Sequence, residues 1–332
     1  MTLTRTQRGG AWLLAVMAAT SLSASTVAPH DPARQFPDAS YAPPMIPHVI
    51  DESGGWHRPF VYPVRLADRL ERRFIEDRTR RLPVRWFETG TIASIDEAGG
   101  PWLLLGGDSF GRDIFARVVR GARTSLGVAL GAALGALLLG ALIGAVAGYS
   151  GGRTDDLLMR TADFVIVLPA IYVVLALRAA MPLVLTPAQI FSTMTVVLAL
   201  AAWPYPARGV RAIVSTEREK EYAESARALG AGSTRILLRH LLPATWGFLG
   251  VQATLLIPAF ILAEGTLSFV GLGFPEPTPS WGLMLQDAHR GNALTDAPWL
   301  LAPAAAIVLS VLALHLLAGS GTQGSVPSGT SD

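Results

Sequence analysis

Long apolar blocks alternate with short charged ones along this chain. The apolar runs lie at Ala11–Ala28, Ser125–Tyr149, Asp163–Ala180, Ala188–Pro206, Trp246–Phe269 and Pro298–Leu317. A helix needs about 20 apolar residues to cross the hydrocarbon of a bilayer, and the runs approach that length, the first being slightly short and rich in Ser and Thr. They predict transmembrane helices. Pro169 and Pro258 interrupt two of them, so neighbouring helices must satisfy the carbonyls those prolines free. The first run admits two readings, a signal peptide with its basic start at Arg5 and Arg8, or a slightly short first span. With it, the count is six and both termini fall on one side.

The polar blocks carry as much information. Glu221–Pro243 reads as two short helices broken at a glycine pair. Tyr222, Ala226 and Leu229 recur at i, i+4, i+7 on one face with Ala223 beside them, while Glu221, Glu224, Ser225 and Arg227 point elsewhere. Gly230 and Gly232 stand where a helix would end, since glycine tolerates positive φ. Ser233 is the expected cap of the next helix and Pro243 its expected stop. An amphipathic helix–turn–helix between membrane spans must dock its apolar face on something.

Within the second run, Gly127, Gly131 and Gly135, then Gly140, Gly144 and Gly148, recur every four residues. Each set puts small residues on one face, which lets another helix approach closely in lipid. Residues 30–105 differ in character. Prolines cluster from Pro32 to Pro63, charges of both signs mingle from Arg65 to Arg85, and aromatics such as Trp56, Phe60, Tyr62, Phe74, Trp86 and Phe87 suggest a small water-exposed subdomain with its own minor core. The mixed signs argue against a nucleic-acid patch.

Orientation follows from the basic residues. Arg208, Arg211, Arg218, Lys220, Arg227, Arg235 and Arg239 place the island in the cytoplasm, and Arg153 and Arg160 agree. Arg112, Arg117, Arg120 and Arg123 conflict, because the same topology puts them outside. Asp163, Arg178, Glu264 and His315 are ionisable groups in or at the ends of spans, and Glu264, the deepest, is the candidate translocation-pathway residue.

Composition narrows the chemistry. Only 16% of the 332 residues are charged and 51% are hydrophobic, against about 25% charged in soluble domains. Lys220 is the single lysine and lies between two glutamates, so no phosphate-cradling Gly-Lys-Ser/Thr loop exists and the chain has no Walker-type nucleotide site. Without cysteine there is no disulfide or thiolate metal site. The six histidines, His30, His48, His57, His240, His289 and His315, show no metal-ligand spacing. No catalytic, cofactor or metal residues are expected.

Glu224-Ser-Ala, Gly230 four residues after Ala226, and His240-Leu-Leu-Pro243 match the EAA loop of ABC-importer permeases in spacing and residue type, and the fuller pattern resembles their dipeptide/oligopeptide branch. Gly107-Asp-Ser-Phe-Gly-Arg-Asp-Ile-Phe-Ala-Arg through Leu126 resembles the branch's signature before its second span. Gly148-Tyr-Ser-Gly-Gly-Arg-Thr-Asp155, Glu264-Gly-Thr-Leu-Ser-Phe-Val-Gly-Leu-Gly273 and Thr278-Pro-Ser-Trp-Gly282 resemble further loops, so the likeness covers roughly 105–317. Tyr41-Ala-Pro-Pro and Pro59-Phe-Val-Tyr-Pro63 resemble an enlarged periplasmic insert. The sequence departs from the pattern at Gly107 and Ala116, at His315, and in a Gly/Ser-rich tail after Leu317.

The resemblance implies an all-α polytopic bundle of six spans. A start and anchor helix at 1–29, retained as a span, and a periplasmic insert at 30–105 would precede a five-helix permease core at 106–318 and a flexible tail at 319–332. It implies an inner-membrane transport subunit with both termini cytoplasmic. Its partners would be a second homologous permease, two ATPase subunits and an extracytoplasmic solute-binding protein. The loop at 217–243 would be the ATPase-coupling element, with Tyr222, Ala226 and Leu229 docked, Glu224 and Arg227 at the rim, and Ser225, Gly230, Arg235, His240, Leu242 and Pro243 completing it. Peptides are the implied cargo. Nickel chelates or sugar-derived compounds in a permease of the same build, an ion-coupled secondary transporter, and a tethered binding module remain the alternatives.

Overall fold

The computed structural model of the chain describes residues 4–69, 71–88, 90–96, 99–169, 172, 185–290 and 295–318. The expected third span at 163–180, with Arg178, lies mostly outside the described residues, as does the tail at 319–332. The chain divides into two compact units, Met1–Leu126 with Gly265–Leu317, and Gly127–Glu264 with 318–332.

The first unit begins with α1 (Arg5–Leu22) and α2 (Ala24–Val27). A reciprocal capping box between Thr4 and Gln7 starts α1. The helix lies antiparallel to α11 (Ala302–Ala318) at close range. A Cβ on Gly10 would stand 2.6 Å from the Ala313 carbonyl, and further along Met17 meets Ser310. The first apolar run is therefore a helix packed on a span-length one, and the start of α1 lies beside the end of α11.

Residues 48–94 depart from the all-α class expected of the chain, which is otherwise mostly helical. They hold β1 (His48–Ile50), β2 (Trp56–Val61), β3 (Val64–Asp68), β4 (Arg73–Glu76), β5 (Leu82–Pro83), β6 (Arg85–Trp86) and β7 (Ala93–Ser94), paired antiparallel as β1–β2–β5, β3–β4 and β6–β7. The physical reason is local. Pro59, Pro63 and Pro83 forbid helix, and Val64 and Leu66 alternate with the exposed Arg65 and Ala67 in the two-residue period of a strand. Ala42, Met45, Val61, Leu82, Val84, Ile95, Trp102 and Leu103 form the minor core.

Two of the four arginines that conflicted with the topology, Arg112 and Arg117, are explained here. Arg112 donates to Asp108 at 2.7 Å and bridges Glu276, and Arg117 reaches Glu276 at 3.1 Å; both arginines are buried. Their charges are matched inside the protein and do not report on a membrane surface. Asp113, also buried, accepts from the Phe115 and Ala116 amides and so caps α3 (Ile114–Ser150), which starts eleven residues before the expected span.

The second unit is organised by α3. α4 (Gly152–Val167) follows it, then α5 (Pro187–Ala202) and α6 (Pro204–Glu217), which meet at a 46° bend. The glycine stripe of α3 runs along α5 and α6 in parallel. Cβ atoms on Gly127, Gly131 and Gly135 would meet Phe191, Thr195 and Ala199 of α5, whereas on Gly140, Gly144 and Gly148 they would meet Pro206, Ala207 and Arg211 of α6. The step of five between the two sets falls where the partner bends. At Gly144 the added atom would lie 2.3 Å from the Ala207 carbonyl, so backbone packs on backbone.

After α6 come α7 (Glu221–Ala228) and α8 (Ser233–Ile236), then a π turn at Leu237–Leu241 and a 3-10 turn at Leu242–Thr245 leading into α9 (Trp246–Phe269). Two expectations fail here. Gly232, not Ser233, is the N-cap of α8, and Pro243 does not stop the helical path, which runs unbroken as 37 residues from Ser233 to Phe269. The wider π turn precedes the proline, and Pro243 enters at the start of a fresh 3-10 turn, where its missing N–H costs nothing. α10 (Trp281–Arg290) and α11 complete the described chain.

Among the described residues three helices are long and apolar enough to cross a membrane, Ile114–Ser150, Ser233–Phe269 and Pro298–Ala318, and the bent pair α5–α6 makes a fourth when its two halves are counted as one span. Gly144→Leu, which forces the α3–α6 backbones apart, should lower the melting temperature of the detergent-solubilised protein by the equivalent of about 1–3 kcal/mol. Gly250→Ala, at a position with open space, should leave it unchanged; differential scanning fluorimetry compares the two.

Candidate functional site

The polar island is built on a fixed support. Arg211 of α6 grips Asp155 of α4 with Nε at 3.0 Å and with Nη2, and Arg208 pairs with Asp163. Asp163 is therefore a partner for α6. Arg218, just past α6, donates from Nη1 to the Gly148 and Tyr149 carbonyls at 3.1 and 3.0 Å. A cation on the last carbonyls of a helix satisfies orphan acceptors and suits the negative end of its dipole. The end of α3 is thereby tied to the entry of the island.

Glu217 makes the turn into α7. Its carboxylate accepts from Lys220 Nζ and from the Tyr222 hydroxyl, each at 2.7 Å. Desolvation, aided by that hydrogen bond to an anion, pushes the Tyr222 hydroxyl pKa up to about 12, so the ring keeps its proton and its tether at physiological pH. The Lys220 carbonyl accepts from the Ala223 and Glu224 amides to begin the helix. Glu221 and Glu224 in the first turn and Arg227 in the last complement its dipole. At the far end Gly230 takes φ +81°, the Ala231 amide reaches back to Ala226 and the Gly230 amide to Arg227, the paired bonds of a Schellman cap. Arg227 also donates to the Arg218 carbonyl.

These ties orient α7 about its axis. Ala223 is fully buried against Val210, Val214, Ile236 and Leu241, with Ala226, Leu242 and Phe248 half-buried beside them. The four residues read as one apolar face thus divide. Ala223 and Ala226 seat the helix on its own unit, whereas Tyr222 is 40% and Leu229 88% exposed. Glu221, Glu224, Ser225, Arg227, Gly230, Arg235 and Pro243 are exposed too, and His240 is half-buried. The result is a short rigid helix presenting one large bare leucine, a tethered tyrosine and a rim of charges.

Other candidates fall elsewhere. Glu264 is completely buried within α9. His315 turns its Nδ1 to the Val311 carbonyl one helical turn back at 2.8 Å. No cluster of three potential metal ligands exists among the described residues. Glu217, Arg218 and the Asp155–Arg211 pair were not legible as parts of the site. Arg211 and Arg218 registered only as topology charges, and neither spacing nor residue type links them to partners some 60 residues away.

Span-length helices joined by an exposed helical loop define a polytopic membrane protein. Residues 136–322 match the family described as binding-protein-dependent transport system inner membrane component, and the chain belongs to that family. It is a membrane permease component of an ABC importer and not itself an enzyme, and membership implies a separate ATPase and a solute-binding protein. The chain is 40% identical over 214 residues to a putative peptide permease protein of Brucella ovis, covering 64% of this chain and 69% of the relative. It is 34% identical over 232 residues to the oligopeptide transport system permease protein OppC of Bacillus subtilis, covering 70% and 73%. Over 222 residues it is 34% identical to the di/tripeptide transport system permease protein DppC of Pseudomonas aeruginosa, covering 67% and 71%.

Opposite outcomes are expected at the two faces of α7. Ala223→Asp places an unpaired carboxylate in the seat and should destabilise the protein by roughly 2 kcal/mol or more. Leu229→Asp should leave the melting temperature unchanged.

Proposed function

We propose that this chain is the translocation subunit for peptides in an ATP-driven importer, and that α7 is the helix through which the ATPase drives it. The observation that carries this reading is the orientation of α7. Its small face is spent on its own protein, so the exposed Leu229 and Tyr222 remain for a groove on another. That is the helix-in-groove mode of recognition, with one aliphatic anchor, one aromatic and a charged rim. A lone leucine among glutamates and arginines makes a poor lipid anchor, which weighs against the helix merely lying on the bilayer.

Motion of the ATPase at Leu229 would reach the spans by short routes. Arg227 and Arg218 join α7 to the end of α3, and Asp155 and Arg211 join α6 to α4. Each route is made of ion pairs or backbone contacts and contains little that can yield. The names of the peptide permeases resembling this chain support the peptide cargo. We further place the chain in the bacterial inner membrane with six spans, the island and both termini cytoplasmic, the insert at 30–105 outside, and beside it a second homologous permease over two ATPase subunits.

Leu229→Asp, which should leave the fold intact, tests the assignment. In proteoliposomes holding the complete importer, peptide-stimulated ATP hydrolysis and uptake of labelled peptide should both fall at least tenfold. Undiminished coupling in a variant of unchanged melting temperature would remove α7 from the drive train. Normal coupling of the wild-type complex with a cargo other than peptides would instead overturn the cargo alone.

A further inference from the structure

The β6–β7 hairpin turns its apolar residues two ways. Val84 and Ile95, which flank it, are buried in the minor core and Ala93 packs against them. On the other side Trp86 is 55%, Phe87 75% and Ile92 39% exposed. Phe87 holds φ +59°, a left-handed conformation that a bulky side chain seldom adopts, and its amide is fixed to the Ile92 carbonyl at 3.2 Å. The hairpin thus holds an aromatic pair and an isoleucine away from the core by a backbone conformation that costs free energy.

Its position says what covers them. The Ile92 amide donates to the Thr26 carbonyl at 2.7 Å, tying the hairpin to the last turn of α2. α1 runs antiparallel to α11, with Met17 opposite Ser310. From Met17 to Thr26 is nine residues and from Ser310 back to Ala302 is eight, roughly 13 and 12 Å of helix. Thr26 therefore lies level with the start of α11, four residues inside Pro298, where the helical stretch Pro298–Ala318 of membrane-crossing length and composition begins. At the end of such a helix, headgroups meet acyl chains, the layer in which tryptophan is enriched. Leu22 of α1, one turn before Thr26 in the chain, is itself 74% exposed.

We propose that the β6–β7 hairpin is an interfacial anchor, with Trp86, Phe87 and Ile92 seated in the headgroup–acyl boundary of the bilayer. It fixes the height of the insert over the membrane, while Arg85 and Glu88, paired at 3.4 Å, stay at the polar level. This surface is separate from α7 and independent of the cargo.

The chain has no cysteine, so a single introduced one reports alone. Phe87→Cys and, separately, Trp86→Cys carry a nitroxide in the assembled importer, in nanodiscs of phosphatidylethanolamine and phosphatidylglycerol. Accessibility to oxygen and to a water-soluble nickel chelate is compared with Thr79→Cys, exposed elsewhere in the insert. The anchor predicts that at least one hairpin label is several-fold better shielded from nickel than the control and open to oxygen, without any added protein. Nickel access equal to that of the control at both positions overturns it. Shielding that arises only when the solute-binding protein is added also overturns it, in favour of a protein-docking face.

Discussion

The contact on which the second unit depends is the approach of one helix backbone to another along the glycine stripe of α3. In lipid, apolar side chains gain little from leaving their solvent, so helices associate through close packing instead. Six glycines supply it over about six turns, and the stripe follows a partner that bends. Gly127, Gly131 and Gly135 meet α5, Gly140, Gly144 and Gly148 meet α6, and the single five-residue step coincides with the bend at Trp203–Pro204. A larger residue at Gly144 would meet the Ala207 carbonyl, which has nowhere soft to go.

That contact determines what α6 can carry. Held along α3, clamped to α4 by Asp155–Arg211 and closed by Arg218 on the last carbonyls of α3, it forms a firm base for α7. Ala223 seats α7 on Val210 and Val214 of α6, and the Glu217 and Gly230 devices fix its two ends. A force applied to Leu229 would therefore be delivered to helices and not lost in a loop. The ion network of buried Asp108, Arg112 and Arg117 with the partly exposed Glu276 does comparable work in the first unit, where losing one partner would strand another's charge.

Much of this was legible in the sequence because it is periodic. The four-residue glycine recurrence marked the packing stripe, and i, i+4, i+7 spacing with a trailing Gly230 marked α7 and its cap. What failed was of two kinds. Non-local pairing left no periodic trace, so Arg112 and Arg117 read as loop charges against the topology when they are internal counter-ions. Rotation of a short helix is set by tertiary packing, so Ala226 was grouped with Tyr222 and Leu229 although it turns inward beside Ala223. One strand of the insert was available, since Val64-Arg-Leu-Ala alternates with period two just after Pro63. The weight of the apolar spans obscured it.

The central claim is that Leu229 enters the ATPase. Because the chain lacks cysteine, Leu229→Cys can be paired with a cysteine in the apolar groove of the ATPase subunit and treated with a short bis-maleimide in transport-competent vesicles. The account predicts a permease–ATPase adduct whose yield changes when ATP closes the ATPase pair. An intact, transporting complex that gives no adduct from position 229 in any nucleotide state would contradict it.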